Sequence, residues 1–314
     1  MGGVHHADTQ ADYLAQEGRM ETHGGKGCEV IKSCFFTILY MVDAEWAKRL
    51  FLGGLLGALW LAYVDFNALF LQPLDWTETM RGLPATGWEL YEKLLQLVRS
   101  VPHLEQVLVG IYVYGYVLSI TLAVVYGLLT GRPDVTDGAV MGFALMLAIA
   151  GTAYAFAYVH PPHTVYGVNP VRSRYMELAN NRFVFPSLHA AFATFLALYF
   201  WRRARHRTVR WAYAFLGVIT PVNIVVLVQH WVYDAIAGIL LGVLAFLAVE
   251  RWGSKFSRAV DRWNVAEKRV WAATVMIYAV LLIYSTVKMG LLPLSPWPPG
   301  TGGSARGYLE IFKK

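Results

Sequence analysis

Two histidines and one aspartate carry the strongest chemical signal in this chain. His189 lies in Phe185-Pro186-Ser187-Leu188-His189, and His230 opens His230-Trp231-Val232-Tyr233-Asp234. His230 and Asp234 are four residues apart, so on a helix they share one face. A carboxylate there can accept an imidazole N–H, fix the tautomer and leave the other ring nitrogen free as a nucleophile. Pro186 and Ser187 suit the first turn of a helix. The N-terminus of a buried helix offers backbone N–H groups to an anion such as phosphate. His189 falls in that turn, placed to give or take a proton. A lone histidine at the end of an apolar run is ordinarily an interfacial residue. A His-x-x-x-Asp pair inside such a run is costly to bury and points to function. The rival reading is a metal site, since His160 and His163 lie in the preceding loop. That set has one carboxylate, Asp234, and no thiolate nearby, so no metal and no cofactor is expected.

The elements that must position these residues are transmembrane. The chain of 314 residues is 56% hydrophobic and only 15% charged, with mean hydropathy +0.42 and net charge +6; soluble domains carry about 25% charged residues. Seven apolar runs approach the roughly 20 residues that cross a bilayer: Leu50–Leu71, Val107–Leu129, Val135–Val159, Pro186–Trp201, Trp211–Val228, Trp231–Val249 and Val270–Leu292. The expectation is an all-α polytopic bundle of about seven spans. The fourth run is the shortest and covers only about 24 Å by helical rise, so one of its ends would lie inside a protein-lined cavity. Residues 1–48 read as a polar tail with an interfacial segment, Val30–Val42. Residues 49–292 read as the membrane domain, and 293–314 as an irregular Pro/Gly-rich tail. Cys28 and Cys34 define neither a disulfide framework nor a metal site. The first 27 residues lack a signal-peptide pattern, and Met41, just ahead of the first span, is a candidate start.

Charge sets the expected orientation. Residues 202–210, RRARHRTVR, hold five arginines and no acid; residues 250–269 hold Arg251, Lys255, Arg258, Arg262, Lys268 and Arg269 against three acids; Lys48 and Arg49 precede the first span. With all three regions cytoplasmic, the positive-inside rule is obeyed. The N-terminus is then cytoplasmic, and both histidines face the extracytoplasmic side. Residues 72–106 fall outside, where Trp88–Val98 has amphipathic spacing (Leu90, Leu94, Leu97 and Val98 against Glu89, Glu92, Lys93 and Gln96) and is expected on the membrane surface. Arg172, Arg174 and Arg182 lie in the outer loop before His189 against the charge trend, which makes them candidate phosphate ligands beside Ser187. Asp65 and Asn67 could touch a polar headgroup or bond to neighbouring helices. Lys288 is expected to snorkel, and Trp and Tyr near span ends to be interfacial anchors.

Taken together, Phe185-Pro-Ser-Leu-His189 and His230-x-x-x-Asp234 resemble the second and third signature motifs of the type-2 phosphatidic acid phosphatase superfamily. They are most similar to its inositol phosphorylceramide synthase-like branch, which has Leu where lipid phosphatases typically have Gly between Ser and His. Pro161-Pro162-His163-Thr-Val-Tyr166 looks like the Pro-Pro-aromatic loop of that branch, and the resemblance covers roughly residues 107–250. It implies a six-helix phosphatase-type core and a metal-independent enzyme. His230 would attack phosphorus and carry the phosphoryl group, Asp234 would orient it, and His189 would protonate the leaving alcohol and then deprotonate the incoming water or alcohol. The expected partner is a lipid phosphate in the membrane, not a nucleic acid; oligomeric state is left open. The chain departs from the family where phosphatases carry Ser-Arg ahead of the third-motif histidine: here stand Asn223 and Ile224. The first motif, a Lys followed by Arg-Pro, is not recognisable. Three functions follow: a lipid phosphotransferase, a lipid phosphate phosphatase with water as acceptor, and a non-catalytic transporter. The last would favour half-repeats and mid-membrane broken helices, and the sequence shows no repeat.

Overall fold

The computed structural model describes residues 44–171, 183–264 and 266–288. Readings that fall on the N-terminal tail, on Arg172, Arg174 and Arg182, and on the C-terminal tail lie outside the described residues. Long helices dominate: α1 (Ala44–Phe70), α4 (Leu104–Leu129), α5 (Pro133–Phe156), α7 (Leu188–Arg203), α8 (Arg207–Val226), α9 (Val232–Arg262) and α10 (Glu267–Lys288). Between them run the short helices α2 (Thr77–Arg81), α3 (Trp88–Arg99) and α6 (Pro162–Tyr166), and strands β1 (Leu74–Asp75) and β2 (Ala157–Tyr158), paired in parallel.

Among the described residues, six of the long helices are long and apolar enough to cross a membrane. The exception is α7, at 16 residues, the run whose shortness the sequence already showed. Half of its residues are buried. Phe195, Leu196 and Phe200 are fully buried in the core that α7 shares with α5 and α9. Two glycines allow α9 to approach. A Cβ on Gly238 would run into the Ser187 carbonyl oxygen, and one on Gly242 would stand 2.5 Å from that of Ala191. The outer helices instead present large apolar side chains outward, among them Leu59, Leu122, Leu240 and Val275. A surface so apolar suits lipid rather than water. The chain is an integral, multi-pass helical membrane protein.

Several sequence readings change here. Arg49 does not precede the first span but lies within α1, fully buried, where its guanidinium pairs with Asp137 at 2.9 Å and Asp261 at 2.5 Å. Ser257 donates to Asp137 at 2.6 Å. A guanidinium has five donors to place, and these acceptors come from α5 and α9, so the group ties three helices at one end of the bundle. Lys288 does not snorkel; it pairs with Asp65 at 2.7 Å, joining α10 to α1. Asn67 donates to the Tyr154 carbonyl and the Tyr63 hydroxyl, so both polar residues of α1 bond to neighbouring groups in the protein. α3 is amphipathic as expected, but its buried face is Tyr91, Leu95 and Val98, packed on protein, while Leu97 is 66% exposed. Trp231 and Tyr154 are likewise core residues rather than interfacial anchors.

Candidate active site

The site lies at the end of the bundle opposite the Arg49 cluster, where α7 and α9 begin. Ser187 is the N-cap of α7, its Oγ accepting the Ala190 N–H at 3.3 Å. Its own N–H donates to the Asp234 carbonyl at 3.1 Å, which stitches the start of α7 to the start of α9. Among the described residues the N–H groups of Leu188 and His189 have no backbone acceptor, as expected of the first turn of a helix. They are anion donors in waiting. Phe185-Pro186 is a cis peptide bond, and the Pro186 carbonyl accepts the buried Tyr154 hydroxyl at 2.7 Å.

His230 is buried beside this turn. Its Nδ1 lies 3.2 Å from the Val184 carbonyl oxygen and 3.5 Å from Asp234 Oδ2. Both neighbours can only accept a hydrogen bond when Asp234 is ionised, so Nδ1 carries the proton and Nε2 holds a free lone pair. Nε2 stands 3.5 Å from Ser187 Oγ. The tautomer that the sequence assigned to Asp234 alone is thus set by two acceptors, of which the backbone carbonyl is the nearer. Asp234 also serves its own helix, for its Oδ2 accepts the Trp231 N–H at 2.8 Å and so caps α9.

His189 meets His230 nearly edge-on, with ring centres 5.7 Å apart. It is walled by two tyrosines the sequence did not single out, Tyr112 at 4.7 Å and Tyr116 at 4.2 Å. They come from α4, where a π-helical stretch, Ile111–Gly115, interrupts the α-helix. Such bulges recur at functional sites because they re-aim side chains. Their sequence signal was weak, since tyrosines within an apolar run also read as ordinary packing.

His163 also belongs to this region. It is 7% exposed, its N–H donates to the Val228 carbonyl at 2.9 Å, and its Nδ1 has no partner. Burial, against the pull of the Val228 carbonyl and with a further push from His230, lowers its pKa to about 4, so the ring is neutral. Val228 itself has φ of 61°, a conformation that costs a β-branched residue of order 1–3 kcal/mol. The strained turn sits two residues before His230. His160 faces elsewhere: its N–H donates to Thr77 Oγ1, its carbonyl accepts the Trp231 indole N–H, and its ring meets Tyr158 edge-on. Among the described residues no three His, Cys, Asp or Glu side chains gather as a metal-holding group.

The positions that depart from the phosphatase pattern fall beside His230. The Ile224 carbonyl accepts the N–H groups of Gln229 and His230, and Asn223 donates to the Leu108 carbonyl at 2.8 Å. An uncharged pair therefore occupies the wall where a Ser-Arg pair would bring a cation. This arrangement of two histidines and an aspartate, spread over the starts of two packed helices, agrees with comparison against known families. The model of the PAP2 superfamily matches residues 87–248. The chain belongs to the PAP2 superfamily. The match spans the outer helix α3 through most of α9 and so takes in every site residue described above. An uncharacterized protein of Methanocaldococcus jannaschii is 28% identical over 210 residues, covering 64% of this chain and 85% of that protein. No solved structure gives a match. PAP2 superfamily membership makes the chain a lipid phosphatase or phosphotransferase in broad class.

Proposed function

We propose that the protein is a metal-independent membrane phosphotransferase that works through a phosphohistidine on His230. It would take the phosphoryl group of a lipid phosphoester or phosphodiester, as in the inositol phosphorylceramide synthase-like branch, and pass it to an alcohol. His230 Nε2 attacks phosphorus while Nδ1–H stays bonded to the Val184 carbonyl and Asp234. The bond from phosphorus to the leaving oxygen breaks, and protonated His189 gives that oxygen its proton. His189, now neutral, removes the proton from the acceptor hydroxyl, whose oxygen attacks phosphorus and frees Nε2. The N–H groups of Leu188 and His189 hold the phosphoryl oxygens, with Ser187 beside them and Arg172, Arg174 and Arg182 as the sources of positive charge.

Burial is the observation that carries transfer over hydrolysis. Ser187, His230 and Asp234 are each less than 5% exposed, and His189, itself half-buried, is flanked by Tyr112 and Tyr116. A site that keeps water away protects a phosphohistidine until an alcohol arrives. The leucine at position 188 supports the same branch.

The test uses a radiolabelled lipid phosphate donor and purified protein. Acid-labile, base-stable label on His230, absent in His230→Ala, is expected. His189→Ala is expected to slow both formation and loss of the label, and to label normally from a donor whose leaving group needs no proton. Label that chases into added lipid alcohol faster than into water supports the transferase. Label that goes to water under all conditions makes the protein a phosphatase, and label on another residue refutes the mechanism.

A further inference from the structure

The two histidines of the site are supported in different ways. His230 has oxygen neighbours at Nδ1, the Val184 carbonyl and Asp234. His189 lies instead against aromatic rings. Tyr112 is stacked on it, with the planes 20° apart and the ring centres separated by 4.7 Å; Tyr116 is tilted by 39° at 4.2 Å. Both separations fall within the roughly 6 Å over which a ring face attracts a cation. Tyr112 is buried and belongs to the π-helical stretch, and Tyr116 follows that stretch directly. Tyr116 also meets Phe192, three residues along α7 from His189, at 5.8 Å. The rings of α4 are thus packed on the same turn of α7 that carries His189.

A general acid must hold its proton before it can give it, and an imidazolium drawn out of water is costly unless something compensates its charge. Asp234 serves His230 and the Trp231 N–H. The negative face of an aromatic ring also attracts a cation, more strongly where water is excluded. We propose that Tyr112 and Tyr116 are positioning residues for the proton donor, their faces holding the His189 ring and favouring its protonated form. This rests on the reading of His189 as the acid that protonates the leaving oxygen. Among the described residues, the titratable groups whose ring contacts place them against His189 are these two tyrosines and His230, which has Asp234 at its Nδ1. Tyr154 of α5 donates to the Pro186 carbonyl, His163 of α6 is bonded through its N–H to Val228, and α8 brings the uncharged Asn223 and Ile224 to this end.

The experiment follows single-turnover labelling of the purified full chain by a radiolabelled lipid phosphate donor across pH. Because His189 acts in its protonated form, the rate falls on the alkaline side of the profile. Tyr116→Leu keeps an apolar side chain but no ring face. It is expected to move the alkaline limb about one pH unit towards acid, and so to slow labelling about tenfold beyond it, by the weight of one cation–π contact. On the acid side of that limb it is expected to match the wild type. Tyr116→Phe keeps the face and is expected to keep the wild-type profile; Tyr112→Leu and Tyr112→Phe are expected to behave in the same two ways. Imidazole nitrogen resonances of His189 in donor-free protein give a second readout: as pH rises, Tyr116→Leu is expected to lose the protonated form before the wild type does. A wild type that takes no label but shows this spectral difference overturns the phosphohistidine reading and keeps the role of the rings. Equal losses in Tyr116→Leu and Tyr116→Phe, a loss of the same size at every pH, or an unchanged spectrum overturns the proposal.

Discussion

His230 shows how a residue's chemistry depends on its nearest acceptors. The 3.2 Å contact of Nδ1 to the Val184 carbonyl means that the tautomer survives loss of the Asp234 charge. Asp234→Asn is therefore expected to keep His230 oriented while removing the charge that supports an imidazolium-like transition state, a loss of about 10³–10⁴ in rate by analogy with the serine-protease triad. The check is single-turnover labelling with the lipid phosphate donor; a loss under tenfold would mean that the carbonyl alone suffices. The arginines of the preceding loop can be tested at the same scale. If one of them holds the phosphoryl group, its replacement by Lys turns a fork of donors into a point charge. At least one of Arg172→Lys, Arg174→Lys and Arg182→Lys is expected to reduce kcat about tenfold or more, by the weight of a charged hydrogen bond. Full turnover in all three Ala variants would place the phosphate cations elsewhere.

At the scale of elements, the site exists because α7 and α9 touch at their starts. Gly238 makes that possible, since any side chain there meets the Ser187 carbonyl. Gly238→Ala is expected to push α9 off the Ser187 turn, costing about 1–3 kcal/mol by overpacking and most of the activity. Gly151→Ala is the control, because its Cβ would find only ordinary contacts at 3.5 Å or more. Thermal midpoints in detergent and turnover of both variants decide it; equal behaviour of the two would contradict the close approach. The π-helical stretch of α4 has a comparable role, since it presents Tyr112 and Tyr116 together to His189.

At the scale of the molecule, the two ends of the bundle differ in chemistry. One end gathers Arg49, Arg132, Arg203 and the basic end of α9; the other gathers the histidines, the aromatic cluster and α3. This separation supports an orientation with the basic end cytoplasmic and the site facing out. In a background lacking Cys28 and Cys34, His206→Cys and Thr79→Cys are expected to react with an impermeant thiol reagent from opposite sides of the membrane. Labelling of both from one side would sink the orientation. The Arg49 cluster is expected to hold the bundle without entering the chemistry. Asp137→Asn leaves a buried guanidinium half-paired, at a cost of about 3–5 kcal/mol. It should lower the thermal midpoint while the labelling rate per folded molecule stays unchanged.

The helical membrane class, the approximate spans, the short α7 and the grouping of His189 with His230 and Asp234 were legible in the residues alone. These follow from local quantities, the length of apolar runs and the cost of charge in lipid; the expected helical spacing of four does not hold, since His230 precedes Trp231, the N-cap of α9, and reaches Asp234 from outside the helix. Tertiary structure alone decided the partners. Arg49 looked like a flank and became a buried knot, because its acceptors Asp137 and Asp261 lie on other helices. Lys288 found Asp65 instead of the interface. The stripe read on Trp88–Val98 pointed towards Leu97, whereas packing against Trp231 and Tyr166 selected Tyr91 and Leu95. Helical periodicity marks an apolar face but does not say whether lipid or protein will cover it, and a carbonyl such as that of Val184, which every residue has, leaves no mark in a sequence until the fold brings it to a histidine.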